Sequence, residues 1–87
     1  MSDSSDELWN FPCDFPIKVM GIAHEQLLIE VLLVIQKHAP GDYVPEVKPS
    51  KTGKFHSITV NFTAHSKQQL DAIYQELHAL ELVKVIL

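Results

Sequence analysis

The sequence predicts an α+β domain of the ferredoxin-like βαββαβ type, in which two helices cover one face of a four-stranded antiparallel sheet. Segments with the apolar spacing of strands and of helices follow one another in the order strand, helix, strand, strand, helix, strand. The chain has 87 residues, enough for one domain with one core. This order and length are typical of the ferredoxin-like sandwich. We assign residues 1–14 to a flexible acidic tail and residues 15–87 to the domain.

The first strand and the first helix are predicted from alternation followed by helical spacing. Residues 17–21 alternate between apolar and polar side chains, as expected for a strand with one buried face. Residues 24–38 then carry aliphatic side chains at helical spacing, and Pro40-Gly41 ends that helix. Lys37 and His38 suit the negative end of the helix dipole.

The middle of the chain predicts a β-hairpin. Residues 46–51 and 54–64 form its strands, and Thr52-Gly53 forms its tip because glycine accepts a positive φ. The later strand alternates strictly, so it should present one apolar and one polar face. The apolar set is Ile58, Val60, Phe62 and Ala64, and the polar set is Ser57, Thr59, Asn61 and Thr63.

The end of the chain predicts a capped helix and a short strand. Ser66 stands at the N-cap position, and Gln69 completes a capping box. Residues 82–87 form the terminal strand. In the ferredoxin-like order the first and third strands are central, and the second and fourth are edges. The second strand carries prolines and lysines, which discourage pairing with another chain.

The charge distribution argues against nucleic acid as a partner. Residues 1–14 hold four of the eleven carboxylates and no lysine, so seven carboxylates balance the seven lysines of residues 15–87. No arginine is present to grip phosphate or guanine. No apolar run is long enough to cross a membrane, no secretory signal is recognisable, and one cysteine excludes an internal disulfide, so we expect a cytoplasmic protein.

Three stretches carry a family resemblance. They are Lys18-Val19-Met20-Gly21, the corner His38-Ala39-Pro40-Gly41-Asp42-Tyr43, and Val47-Lys48-Pro49-Ser50 with Gly53 and His56-Ser57. With these residues the chain resembles the YbeD family of small uncharacterised bacterial proteins. The resemblance implies an ACT-like fold, no known catalytic residues and a link to lipoate metabolism. ACT domains bind small ligands at dimer interfaces.

The first helix departs from the family pattern because its apolar arc is unusually wide. The arc extends to Ile29 and Leu33, where more polar side chains are expected, and one sheet face cannot cover it. The second helix, or Trp9 and Phe11, would cover part of the arc, and a partner chain would cover the rest. Coverage within the chain is the favoured interpretation.

No catalytic, cofactor or metal site is predicted. The histidines at 24, 38, 56, 65 and 78 form no pair at the spacing of metal ligands. Cys13 lies beside Asp14, whose charge disfavours a thiolate nucleophile. We therefore expect a protein that is not an enzyme.

Two groups of residues are candidate contacts. The positive cluster of Lys48, Lys51, Lys54 and His56 is the candidate site for a partner or an anion, and the alternative is a charged tip that keeps an edge soluble. Gly21 is the candidate small-ligand turn, since ACT domains bind ligands at a glycine-bearing turn after the first strand.

Two other surfaces have less support. Asp42 and Tyr43 could face a ligand, but we expect them to cap a turn and to pack against the sheet. The polar sheet face shows no aromatic ring at the central-strand positions considered, which argues against RNA recognition.

These observations favour a non-catalytic regulatory or adaptor module that acts through protein–protein contacts. The apolar fourth strand, guarded by Lys84 alone, and the first helix suit a homodimer. The alternative is an ACT-type sensor that binds an amino acid or similar small acid at a dimer interface. The sequence does not identify the protein partner.

Overall fold

A computed structural model describes residues 11–87 and confirms the ferredoxin-like order. The sheet runs β2-β3-β1-β4 with every neighbouring pair antiparallel, so β1 and β3 are central as predicted. Residues 1–10 of the predicted acidic tail, which include Trp9, lie outside the described part. The elements are β1 (Cys13–Ile22), α1 (Glu25–His38), β2 (Glu46–Pro49), β3 (Phe55–Ala64), α2 (Lys67–Ala79) and β4 (Val83–Ile86).

Strand β1 begins at Cys13, four residues before the predicted strand and inside the segment assigned to the tail. Its full length pairs with β3, from Cys13 opposite Ala64 to Ile22 opposite Phe55. Pro12 and Pro16 obscured this strand in the sequence. Pro16 is tolerated because β4 pairs only with the Val19 end of β1, which leaves one side of the strand unpaired at Pro16.

The hairpin tip is built around Gly53. Its φ is 76°, a left-handed conformation that glycine adopts without steric cost, and its N–H donates to the Ser50 carbonyl oxygen at 3.0 Å. The Ser50 N–H donates to the Phe55 carbonyl oxygen at 2.8 Å and closes the turn. Strand β2 therefore ends at Pro49, two residues earlier than predicted.

The core lies between the sheet and the two helices. The inward side chains of β1 and β3 meet one face of each helix, and fully burying an aliphatic side chain contributes roughly 1.5–3 kcal/mol. Both helices begin with a side-chain cap. His24 Nδ1 accepts the Gln26 N–H at 3.0 Å, and Ser66 Oγ accepts the Gln69 N–H at 3.0 Å. The largest fully buried side chains are Ile17, Leu27, Ile35, Ile58, Ile73, Leu77, Val19, Val31 and Val60.

The predicted capping box at Ser66 is present with one change. The Gln69 side chain reaches back to the backbone, but its Oε1 accepts the N–H of His65 at 2.6 Å rather than that of Ser66. Its Nε2 donates to the carbonyl oxygen of His38 at 2.8 Å. Gln69 therefore joins the start of α2 to the end of α1.

Candidate functional site

The side of the sheet away from the helices, here called the open face, is mostly polar as predicted. Across β1, β3 and β2, the strand register forms a first row of Lys18, Thr59 and Glu46. It forms a second row of Met20, Ser57 and Lys48. Val85 of β4 extends the second row at its far side.

The open face also contains an aromatic ring that the sequence interpretation missed. Phe55 pairs with Ile22 in register and shares the face of Ser57, two residues along β3. The ring is about one third exposed, at 37%. The exclusion of RNA was based on positions that did not include Phe55, and it stays a prediction.

A cleft of about 210 Å³, here called the open-face cleft, lies on this surface. It lies where the ends of β2 and β3 approach the end of the chain after β4. Six of its lining residues matter for what it could bind: Lys18, Met20, Lys48, Phe55, Ser57 and Leu87.

The Ser57 hydroxyl in this cleft has no hydrogen-bond partner and almost no contact with solvent. It is the single such side-chain atom within residues 11–87. A buried polar group without a partner costs about 1–3 kcal/mol.

The structure does not keep the predicted positive cluster together as one surface. Lys48 and His56 line the open-face cleft, whereas Lys51 and Lys54 lie beside the hairpin tip and do not line it. Lys18, which the sequence did not group with the others, joins Lys48 at the cleft. The missed signal was the strand register, which brings Lys18 of β1 near Lys48 of β2.

The predicted small-ligand residue Gly21 lies inside β1 rather than in a turn, and it is buried. A Cβ at this position would collide with the Leu82 carbonyl oxygen and would lie 2.7 Å from Leu27 Cδ1. The glycine is therefore required by the close approach of β4 and α1. Ligand binding at Gly21 stays a prediction.

A second cleft of about 450 Å³ lies at the corner between α1 and β2. Several of its polar side chains already have structural partners. The Tyr43 hydroxyl donates to the Ala39 carbonyl oxygen, and burial raises the pKa of Tyr43 above its usual value. The expectation that Tyr43 packs against the sheet end agrees with its contact to the core. Asp14 and Asp42 are exposed at the rim.

The ends of the helices are joined beside this corner. The His38 ring is hydrogen-bonded to the Glu76 carboxylate, and Lys37 Nζ lies 3.2 Å from the other oxygen of that carboxylate. The hydrogen bond from His38, followed by that from Lys37, lowers the pKa of Glu76 below its usual value. The polar groups of this region therefore hold the two helices together.

Helix α1 leaves part of its apolar arc uncovered. Leu28 and Leu32 pack partly against the core, but Ile29 is 49% exposed and Leu33 is 64% exposed. Ile29 and Leu33 lie one helical turn apart on the outer side, and we call them the α1 stripe. Residues 11–87 therefore leave this pair exposed, and its coverage by Trp9, which the favoured interpretation included, lies outside the described residues.

Residues 11–87 contain neither a candidate metal cluster nor a candidate membrane-spanning helix. Within residues 11–87, no three His, Cys, Asp or Glu side chains lie where they could together hold a metal ion. Among the same residues, neither helix has the length and apolar character needed to cross a bilayer.

Comparison with known proteins identifies relatives along the whole chain. The model of a family described as "Protein of unknown function (DUF493)" matches residues 6–87. The UPF0250 protein YE3006 of Yersinia enterocolitica is 51% identical over 87 residues, covering 100% of both chains. The UPF0250 protein YPTB1093 of Yersinia pseudotuberculosis is 49% identical over the same length, again covering 100% of both.

Solved structures share the fold. Protein HP0495 from H. pylori has a TM-score of 0.69 at 24% identity, covering 91% of this chain and 85% of its own. The uncharacterized protein TM1266 from Thermotoga maritima has a TM-score of 0.62 at 10% identity, covering 85% of this chain and 92% of its own. At these identities the likeness concerns the fold alone.

Proposed function

The chain belongs to the DUF493 family of proteins of unknown function, which confirms the resemblance to the YbeD family, and we propose that it is a cytoplasmic, non-catalytic binding module that self-associates through α1. The α1 stripe carries this proposal. An exposed aliphatic pair on a helix whose other apolar side chains are buried or half-buried is apolar surface that a partner can remove from water.

A second copy of this chain is the proposed occupant of the stripe. The domain is close to neutral, with seven lysines and seven carboxylates in residues 15–87, and the formal net charge of −4 comes from the four carboxylates of residues 1–14. Two antiparallel α1 helices related by a two-fold axis would pack the same apolar pair against itself. The neighbouring side chains Gln26 and Gln36 are uncharged.

The support for binding over catalysis comes from three of the polar groups at the larger cleft, whose other ionisable side chains, Asp14, Asp42 and His65, are exposed. His38, Tyr43 and Gln69 all line it, and each is hydrogen-bonded within the fold. A general acid, base or nucleophile needs a group free to reach a substrate. These three side chains instead hold α1, the corner and α2 together.

The contact is expected to be weak. Stable interfaces bury about 800 Å² on each partner, and the stripe contributes only two exposed side chains at its centre. Sedimentation velocity over a concentration series should therefore show a monomer–dimer equilibrium with a dissociation constant in the micromolar range or weaker. Leu33→Glu should leave a monomer at every concentration, because the charge would be buried without a partner.

Val44→Glu is the matched control, since Val44 is 92% exposed and lies outside α1. It should leave the equilibrium unchanged. A wild-type chain that stays monomeric throughout would refute self-association. A dimer that survives Leu33→Glu but is lost on Val85→Lys would place the interface at the β4 edge and would refute the role of α1.

A further inference from the structure

We propose that the open-face cleft binds a small amphipathic monocarboxylate, with its carboxylate between Lys18 and Lys48 and its apolar chain against Met20, Phe55 and Leu87. This site is independent of the α1 stripe. It lies on the opposite side of the sheet from the helices, so either proposal can fail without the other.

The positions of the two lysines favour an anion shared between them. They lie on the strands either side of β3, where their pairing partners Thr59 and Ser57 are two residues apart. At a strand spacing of about 4.8 Å, the Cβ atoms of the two lysines are therefore about 10–12 Å from each other. Each flexible four-carbon stem can carry its ammonium group toward a common point above β3. Neither lysine forms an ion pair with any residue in the described part of the chain.

The Ser57 hydroxyl lies on β3 between these strands. It pairs with Met20 on one side and with Lys48 on the other. Because the hydroxyl has almost no contact with solvent, a ligand oxygen would accept its hydrogen bond once the side chains that shield it move aside. One hydroxyl and two ammonium groups supply the few directed contacts that fix the head of a small ligand in an otherwise apolar cleft.

Charge balance favours a monoanion. Glu46 shares the open face with Lys48, two residues along β2, and its register partner Thr59 is also the partner of Lys18. The side chains of Lys18, Lys48 and Glu46 sum to a charge of about +1, which is too little to balance a phosphate dianion. The cleft also has neither arginine nor a helix N-terminus, the groups that most often hold phosphate.

The size of the cleft limits the ligand. A volume of about 210 Å³ equals that of roughly seven water molecules at about 30 Å³ each. The apolar walls come from Met20, Phe55 and Leu87, and Phe55 would lose its exposure on binding. A chain of about six carbons that ends in a carboxylate fits both limits.

The test uses hexanoate as the probe and hexanamide as its uncharged counterpart, with backbone amide chemical shifts of the full chain as the readout. Hexanoate should produce saturable shifts centred on Met20, Lys48 and Ser57, with a dissociation constant of about 20 mM or tighter for an eight-atom ligand. Hexanamide should bind at least tenfold more weakly. Equal binding of both compounds, or shifts that never saturate, would overturn the proposal.

Two double variants distinguish binding at the cleft from non-specific attraction to positive charge. Lys18→Gln with Lys48→Gln should weaken hexanoate binding about tenfold or more. Lys51→Gln with Lys54→Gln removes the same charge beside the cleft and should change binding less than twofold. An equal loss in both double variants would show non-specific attraction to lysines and would overturn the site.

Ser57→Ala supplies the check on the hydroxyl. It should weaken hexanoate binding severalfold while leaving the chain folded, because no internal hydrogen bond is lost. Unchanged binding in Ser57→Ala would remove Ser57 from the site and would contradict the proposed head-group contact.

Discussion

The His38 ring at the end of α1 is hydrogen-bonded to the carboxylate of Glu76 on α2, although 38 positions separate the two residues in the chain. Lys37 contacts the same carboxylate, and Gln69 donates to the His38 carbonyl oxygen from the start of α2. The C-terminal turn of α1 is thus joined to α2 at two points. Side chains that suit the α1 dipole also fix the packing of the two helices.

Glu76→Gln should lower stability at neutral pH, because it removes the charge that His38 and Lys37 contact. The folded-state pKa of Glu76 lies below its ordinary value of 4.5, so its contribution is present above that value and is lost as pH falls through the folded pKa. Thermal unfolding of the variant and wild type should differ at pH 7, and the difference should shrink as the pH falls below 4.5.

Glu81→Gln is the control for the loss of one carboxylate, because Glu81 is exposed and forms no ion pair within residues 11–87. It should match wild type at both pH values. A difference between Glu76→Gln and wild type that grows on acidification would contradict the assigned direction of the pKa shift.

Gly21→Ala should be among the most damaging single-methyl changes in the chain. The new Cβ would collide with the backbone oxygen of Leu82, which can move only if β4 shifts, and overpacking of this kind costs about 1–3 kcal/mol or more. Gly53→Ala meets open space and costs about 1 kcal/mol through its positive φ alone. Urea unfolding should rank the two variants in this order, and the reverse order would contradict the packing at Gly21.

Two serines should respond oppositely to alanine. Ser66→Ala removes the N-cap of α2 and should cost about 1 kcal/mol. Ser57→Ala removes a buried hydroxyl without a partner and should be neutral or stabilising in the absence of ligand. Denaturant unfolding measures both. A substantial loss of stability in Ser57→Ala would reveal a hydrogen bond in the unliganded protein.

Two leucines of different burial test the boundary of the core. Leu77→Ala removes a fully buried side chain and should cost about 2–5 kcal/mol. Leu33→Ala should change stability by less than about 0.5 kcal/mol when measured at a concentration where the chain is monomeric. A large cost for Leu33→Ala in the monomer would mean that the chain itself covers this position.

Local patterns were enough to predict the order of elements, the central strands and both helix starts. Alternation along β3, the Gly53 tip and the Ser66 cap each act over a few residues. The early start of β1 was missed because Pro12 and Pro16 oppose a strand locally, whereas pairing with β3 decides the outcome.

The candidate sites depend on contacts that no local pattern records. Lys18 and Lys48 become neighbours only through the strand register, and Glu76 meets His38 only through the packing of the two helices. The shielding of the Ser57 hydroxyl from solvent likewise depends on side chains from other strands. The wide apolar arc of α1, including Ile29 and Leu33, was visible in the sequence, and residues 11–87 leave that pair exposed.

The most direct test of self-association through α1 is paramagnetic relaxation between mixed protomers. An unlabelled chain with Cys13→Ser and Glu25→Cys would carry a nitroxide at position 25, which is exposed on α1 outside the stripe, and be mixed with isotopically labelled wild-type chain. The α1 amides of the labelled chain should broaden in a concentration-dependent manner. Broadening confined to β4, or no broadening at any concentration, would contradict the account.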